Sequence, residues 1–276
     1  MLVNLNDLML PAITGEFAIP CFNVFGYEDA KAVVMAAEER NAGVILAVNL
    51  DMVTFMPMEH IASMLLPLAR DAKVPVCLHL DHNYELESVK HAVDCGFSSV
   101  MYDCSQKTIE ENIGGIQAVV AYARDRNVSV EAEVGSVPYA TGRDHIKSAL
   151  TDVNEALAME KQGRPDALAI SVGNVHRLEK DYVDIDFERF DELESRLSTP
   201  LVIHGTSGIK HDDIRALSKR SVCKFNIGTC LRQRFGSGLR SALSEDENLF
   251  DRLSIMKKII PELTDEATKM IELLGQ

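Results

Sequence analysis

The chain has 276 residues, 46% hydrophobic and 25% charged, a globular composition with enough apolar material for a large core, which excludes a disordered chain. Its formal net charge is −14, and no run of lysines or arginines forms a stripe. A nucleic-acid partner is therefore not expected, because a phosphate backbone is gripped by clustered cations.

The opening MLVNLNDLML lacks the basic start and small-residue cleavage site of a signal peptide. No apolar run approaches the ~20 residues that a membrane span requires. Six scattered cysteines form no CxxC pair and read as buried free thiols, so a cytoplasmic location is expected. From Phe17 to about Leu243, short runs rich in Val, Ile and Phe alternate with longer amphipathic stretches. That pattern predicts parallel strands joined by helices. The strands fall at residues 18–24, 43–49, 75–81, 98–103, 128–134, 167–172, 201–204 and 222–227. The helices fall at 27–40, 58–71, 85–95, 108–126, 152–162, 187–197, 210–219 and 229–243, with acidic residues such as Glu28 and Asp29 complementing the dipole of a first turn. Two further helical segments, 245–258 and 261–274, close the chain. Eight β-then-helix units without a long linker predict a single-domain (β/α)8 TIM barrel over residues 1–276, with extra C-terminal helices. The stretch 135–151 fits neither element and is a candidate lid at the catalytic end.

In such a barrel the active site is assembled at the C-terminal ends of the strands. The third strand ends His79-Leu80-Asp81-His82, the fifth carries Glu131 and Glu133, the sixth runs into His176, and the seventh ends at His204. Neutral imidazoles from three strand ends, converging on a point with one position open, make a catalytic zinc site. One such histidine alone is more often a hydrogen-bonded core or surface residue; the trio His82, His176 and His204 carries the metal reading. Asp81, next to His82, suits general acid–base work, the alternative being a carboxylate that only orients a ligand. His79 lies deeper and is read as packing or support. Glycine-containing turns precede the seventh and eighth helices. They present Gly205, Thr206 and Ser207, and Asn226, Ile227, Gly228 and Thr229, where free backbone N–H groups of a barrel receive phosphate.

The motifs Phe22-Asn23, LHLDH at 78–82, Asp103, VEAEVG at 130–135, GNVH at 173–176, HGTSG at 204–208 and KFNIGT at 224–229 cover nearly the whole chain. As a set they resemble the class II, metal-dependent fructose-bisphosphate and tagatose-bisphosphate aldolases. The resemblance implies a lyase that reversibly cleaves a ketose 1,6-bisphosphate to dihydroxyacetone phosphate and glyceraldehyde 3-phosphate. It implies one zinc ion per subunit on His82, His176 and His204, Asp81 as the proton carrier, Glu133 beside the metal and Asn23 against the substrate. It also implies phosphate on the two turns, a monovalent cation nearby, and a homodimer or homotetramer. Three departures stand out: Arg177 where the family has glycine, Asn49 where it has a small serine or threonine, and a loop 136–144 reading SVPYATGRD. In that loop Asp144 is an unaligned stand-in for the family's acid. Arg177 either adds an anion contact or occupies an old one, which keeps open an aldolase acting on a different phosphorylated or acidic ketose. A metal-dependent hydrolase on the same barrel is disfavoured by the lack of an HxH pair on the first strand. A non-catalytic sugar-phosphate binder is disfavoured by the intact Asp81.

Overall fold

The computed structural model describes residues 1–143 and 145–276, so Asp144 lies outside the described residues. The strands are β1 (Ile19–Asn23), β2 (Val44–Asn49), β3 (Val76–Asn83), β4 (Ser99–Tyr102), β5 (Ser129–Val134), β6 (Ala167–Ile170), β7 (Leu201–Ile203) and β8 (Val222–Ile227). All pair in parallel in chain order, and β8 pairs with β1 to close the barrel. Each of the eight predicted strands is present, most shortened by a residue or two at the ends.

Successive strand side chains point to opposite faces. Outward residues such as Leu46, Leu80, Val100, Val130 and Ile203 are buried under the helices. Inward residues change character along the barrel axis. Near the strand starts, Ile19, Ile45, Cys77 and Ala167 form an interior apolar cluster. Helix α1 (Leu5–Gly15) lays Leu5, Leu8, Met9 and Ala12 onto it, covering that end. Further along, His79, Asp81, Glu131, Glu133, Lys224 and Asn226 are all buried polar groups. The apolar-to-polar switch within single strands places the chemistry at one mouth.

Outside pack α2 (Tyr27–Arg40), α4 (Met58–Asp71), α5 (Leu86–Asp94), α6 (Ile109–Arg124), α8 (Phe187–Arg196), α9 (His211–Ser218) and α10 (Thr229–Glu245), with the short α3 (Leu50–Phe55) and α7 (Val153–Ala158) between them. Capping explains several boundaries. Thr108 accepts a hydrogen bond from the Glu111 backbone N–H while the Glu111 carboxylate accepts from Thr108, so α6 starts where predicted.

Four expectations need correction. Helix α1 was not among the predicted elements although Asn4 and Asp7 form a capping box at its start. The short α3 was also missed. The helix predicted at 152–162 is α7 followed by a π-helical turn, Met159–Gly163. The two C-terminal segments are one helix, α11 (Arg252–Leu273), begun by the Asp251 carboxylate, which accepts from Ser254 N at 2.7 Å. Pro261 sits inside it, where proline normally breaks a helix. Burial of Ile259, Leu263, Ala267 and Ile271 against the rest of the fold holds the helix through that position; each large side chain removed from water contributes about 1.5–3 kcal/mol. All six cysteines are free, and Cys21, Cys77, Cys104 and Cys223 are buried. Among the described residues no helix is long and apolar enough to cross a membrane.

Candidate active site

The Asp81-His82 pair owes its position to a break in the strand. The β3–β4 register shifts between Leu80 and Asn83, and His82 has φ of 43°, a left-handed conformation that non-glycine residues seldom adopt. That kink cancels the alternation that would send neighbours to opposite faces, so both side chains line the mouth. Strained backbone of this kind persists only where the surroundings enforce it.

His176 and His204 arrive from the ends of β6 and β7. The ring centroids of His82 lie 4.9 Å from His176 and 4.5 Å from His204. One donor atom of each of the three lies within 4.8 Å of the others, a spacing that could hold a metal ion. The neighbours fix which nitrogen faces inward. His82 Nδ1 bonds Asp103 Oδ2 at 2.9 Å, which leaves its Nε2 buried without a hydrogen-bond partner, as is His176 Nε2. His204 bonds Glu131 Oε1 through Nε2 at 2.8 Å, so Nδ1 is its inward atom. Glu131 is itself held by Lys224 Nζ at 2.7 Å, both side chains fully buried. His79 supports this layer: its Nδ1 bonds Ser99 Oγ at 2.8 Å. Unpartnered buried nitrogens cost about 1–3 kcal/mol each, and a cation shared between them would remove that cost. The donor set therefore fits a zinc ion.

Electrostatics sort the three rings. Burial pushes His176 and His204 well below the usual histidine value, and the positive charge on His82 pushes the same way, so both are neutral. For His82 burial also pulls down, but the Asp81 and Asp103 carboxylates outweigh it and hold the ring at about 9. Burial alone would raise Asp81. The charges of His82 and Lys224, and the hydrogen bond from Asn23, reverse that and keep the carboxyl below its ordinary value. Asn23 Nδ2 donates to Asp81 Oδ2 at 2.8 Å and Asn226 Nδ2 to Oδ1 at 2.9 Å. Glu133 goes the other way: burial, then repulsion from Asp103, pushes it up to about 8. It accepts from Val137 N at 3.2 Å and sits with His82 and Asp103 in a second group of close donors.

Most residues singled out in the sequence meet in one cleft at the barrel mouth. Asn23, Asp81, His82, His176, Arg177, Gly205, Thr206, Ser207, Asn226, Gly228 and Thr229 all line it. Glycine is required at 205: φ is 69°, and an added Cβ would stand 2.5 Å from the Val175 carbonyl. The Ile227 side chain points outward into the strand–helix core, because alternation along β8 gives the inward face to Asn226, and the Thr206 hydroxyl donates to Asn226 O at 2.8 Å; both residues could meet a phosphate only through their backbone N–H groups. Tyr139, Arg143 and Arg232 also line the cleft and were missed. Residues 136–143 bring a stacked ring, Tyr139, and a cation, Arg143, to the cleft. Tyr139 packs on His176 at 4.3 Å between centroids, and the loop backbone pairs with His176 on both sides, His176 N to Pro138 O and Ala140 N to His176 O. Asp51, at the start of α3, joins Arg143 and Arg177 across the mouth.

Barrel and donor cluster together define an enzyme scaffold in which three imidazoles could hold a metal ion beside a carboxylate. The chain belongs to the class II fructose-bisphosphate aldolase family, since residues 3–276 match the family profile described as Fructose-bisphosphate aldolase class-II, and it is accordingly a lyase. A 6-phospho-5-dehydro-2-deoxy-D-gluconate aldolase of Halalkalibacterium halodurans is 36% identical over 259 residues, 92% of this chain and 89% of that protein. A fructose-bisphosphate aldolase of Mycoplasma genitalium is 31% identical over 288 residues, 100% of this chain and 98% of that one. Among solved structures, the YdjI aldolase of Escherichia coli K12 superposes with a TM-score of 0.87 at 29% identity, covering 100% of this chain and 98% of that one.

Proposed function

We propose that this chain is a zinc-dependent aldolase that reversibly cleaves a ketose phosphate to dihydroxyacetone phosphate and an aldehyde. The observation that carries the reading is the trio of imidazoles, two with orphaned buried nitrogens, beside Asp81. His82, His176 and His204 would hold the zinc. Bound there, zinc supplies a Lewis acid that polarises the ketose carbonyl and offsets the negative charge left when the carbon–carbon bond breaks. Asp103 and Glu131 orient two of the rings by bonding their outward nitrogens. Asp81, kept ionised and aimed by Asn23 and Asn226, takes the proton of the C4 hydroxyl in cleavage and returns it in condensation. The turns at Gly205 to Ser207 and Asn226 to Thr229 take the phosphate of the dihydroxyacetone half, using backbone N–H groups including those at the start of α10.

Fructose or tagatose 1,6-bisphosphate is the first candidate substrate, with glyceraldehyde 3-phosphate as the second product. An acidic ketose phosphate is a second reading, favoured by the arginines at the rim and in keeping with the gluconate in the name of one relative. We place the reaction in the cytoplasm, in keeping with six free thiols, and expect a homo-oligomer. The test is direct. Chelation should abolish release of dihydroxyacetone phosphate in a coupled assay and zinc should restore it, while Asp81→Ala should bind zinc at full stoichiometry and lose about 10²–10⁴-fold in turnover. Activity that survives chelation, or an Asp81→Ala protein as active as the parent, would refute the assignment.

A further inference from the structure

Two of the three imidazoles that face the metal position are held from behind. Asp103 Oδ2 bonds His82 Nδ1 at 2.9 Å, and Glu131 Oε1 bonds His204 Nε2 at 2.8 Å. Such a partner on the outward nitrogen fixes the plane and tautomer of a ligating imidazole. His176 is different. Among the described residues no side chain hydrogen-bonds its ring, and its hydrogen bonds run through the backbone, from His176 N to Pro138 O at 2.8 Å and from Ala140 N to His176 O at 2.9 Å. A ligand free to tilt and rotate holds an ion less firmly than one locked in place, so what restrains this ring matters.

The two backbone bonds pair Tyr139 directly with His176 in a short parallel bridge. Residues opposite one another in such a bridge send their side chains to the same face. The Tyr139 ring accordingly lies flat on the imidazole, with centroids 4.3 Å and planes 16° apart. The imidazoles meet one another edge-on instead, at 71, 74 and 77°. Tyr139 also reaches His82 edge-on, at 6.4 Å between centroids. The tyrosine is itself steadied from both sides. Before it, Ser136 and Ala149 exchange backbone hydrogen bonds at 2.7 and 3.1 Å and close the neck of the loop. After it, Arg143 donates to the Tyr139 hydroxyl at 3.3 Å and to Asp51 and Tyr84, both at 3.0 Å.

We propose that Tyr139 is a positioning residue of the metal site, its stacked ring setting the plane of His176, the ligand left without a side-chain partner among the described residues. The inference rests on the zinc reading above and concerns how firmly the ion is held. A flat stack restrains the tilt of the imidazole and leaves its nitrogens free, so it does for His176 what Asp103 and Glu131 do for the other two rings. Because the stacked ring belongs to the loop after β5, ion and loop are linked. Whatever the stack adds to zinc affinity, zinc adds to the hold on the loop, by the reciprocity of coupled equilibria. Asp51, on a different loop and far in sequence, then acts on the ion through Arg143 and Tyr139.

The test is zinc affinity, by competition with a chromophoric chelator, for the parent and three variants. Tyr139→Ala removes the ring and should weaken zinc by about tenfold, where the worth of an aromatic stack and the loss of an orienting group overlap. Tyr139→Phe keeps the ring without the hydroxyl and should stay within about threefold of the parent. Tyr139→Leu keeps apolar bulk that cannot stack flat; its chelated form should melt with the parent, yet its affinity should fall as far as that of the alanine variant. Hydrogen exchange supplies the reciprocal readout: zinc should slow exchange of the 137–143 backbone by a similar factor in the parent and Tyr139→Phe, and leave it unchanged in the other two. Parent-like affinity in the alanine or leucine variant, a phenylalanine variant as weak as alanine, a chelated Tm of Tyr139→Leu that falls with its affinity, or loop exchange in the parent indifferent to zinc would overturn the proposal and leave the zinc site standing. A parent that binds no zinc would overturn both.

Discussion

Lys224→Met probes the support beneath the metal ligands. Lys224 Nζ is 2.7 Å from Glu131 Oε2, and both side chains have no solvent exposure. Removing the cation leaves Glu131 between two imidazoles, His204 Nε2 at 2.8 Å and His79 Nε2 at 3.7 Å, with no full positive charge among these contacts. Breaking a buried ion pair from one side costs about 3–5 kcal/mol, because a charge stays buried without its partner. Replacing both members by neutral groups of similar size costs much less. Equilibrium urea unfolding of the chelated protein should therefore place Lys224→Met about 3–5 kcal/mol below the parent. The double variant Lys224→Met with Glu131→Gln should recover most of the loss. The pair also aims His204, so zinc affinity measured by competition with a chromophoric chelator should fall about 10–100-fold in the single variant. Unfolding energies that simply add, or a single variant within about 1 kcal/mol of the parent, would refute the reasoning, since independent sites add to within about 0.5 kcal/mol.

Two further outcomes follow from the site. His82 of the chelated protein stands at about 9, so zinc must displace a proton from it at neutral pH. Calorimetry at pH 7 in buffers of different ionisation enthalpy should show release of about one proton, and affinity should climb with pH until about 9; a pH-independent affinity would contradict this. The sign for stability is opposite: a raised histidine stabilises the metal-free fold fully below its unfolded value of about 6.5, and that contribution is lost as pH rises through about 9. Gly205→Ala forces a Cβ to 2.5 Å from the Val175 carbonyl at φ of 69°. It should destabilise by more than about 1 kcal/mol and raise KM for the phosphate-bearing substrate, as read by thermal unfolding and steady-state kinetics; an unchanged Tm would show that the turn can relax.

Local periodicity carried most of the fold. Strand–helix alternation locates all eight strands, and the histidines that follow β6 and β7 or end β3 mark the mouth from the sequence alone. The failures have physical causes. Helix α3 is six residues long, contains Val53, Thr54 and Phe55, and takes its N-cap from Asn49, the last residue of β2; so short a segment has no periodicity to detect. The Asp51 ion pairs span 92 and 126 positions of sequence, and nothing local announces a partner so distant. Arg143 lies in the irregular stretch after β5, where no periodicity marks which side chains turn into the cleft.

The plug formed by α1 has a consequence for traffic. With Leu5, Leu8 and Met9 packed on the interior cluster, that end of the barrel offers no exit, so under the proposed reaction substrates and products share a single doorway. Whichever fragment lies nearer the rim must depart before the one held on the deeper turns, and turnover becomes a queue. Dihydroxyacetone phosphate would then be last out and first in, and condensation would begin with an enzyme already primed.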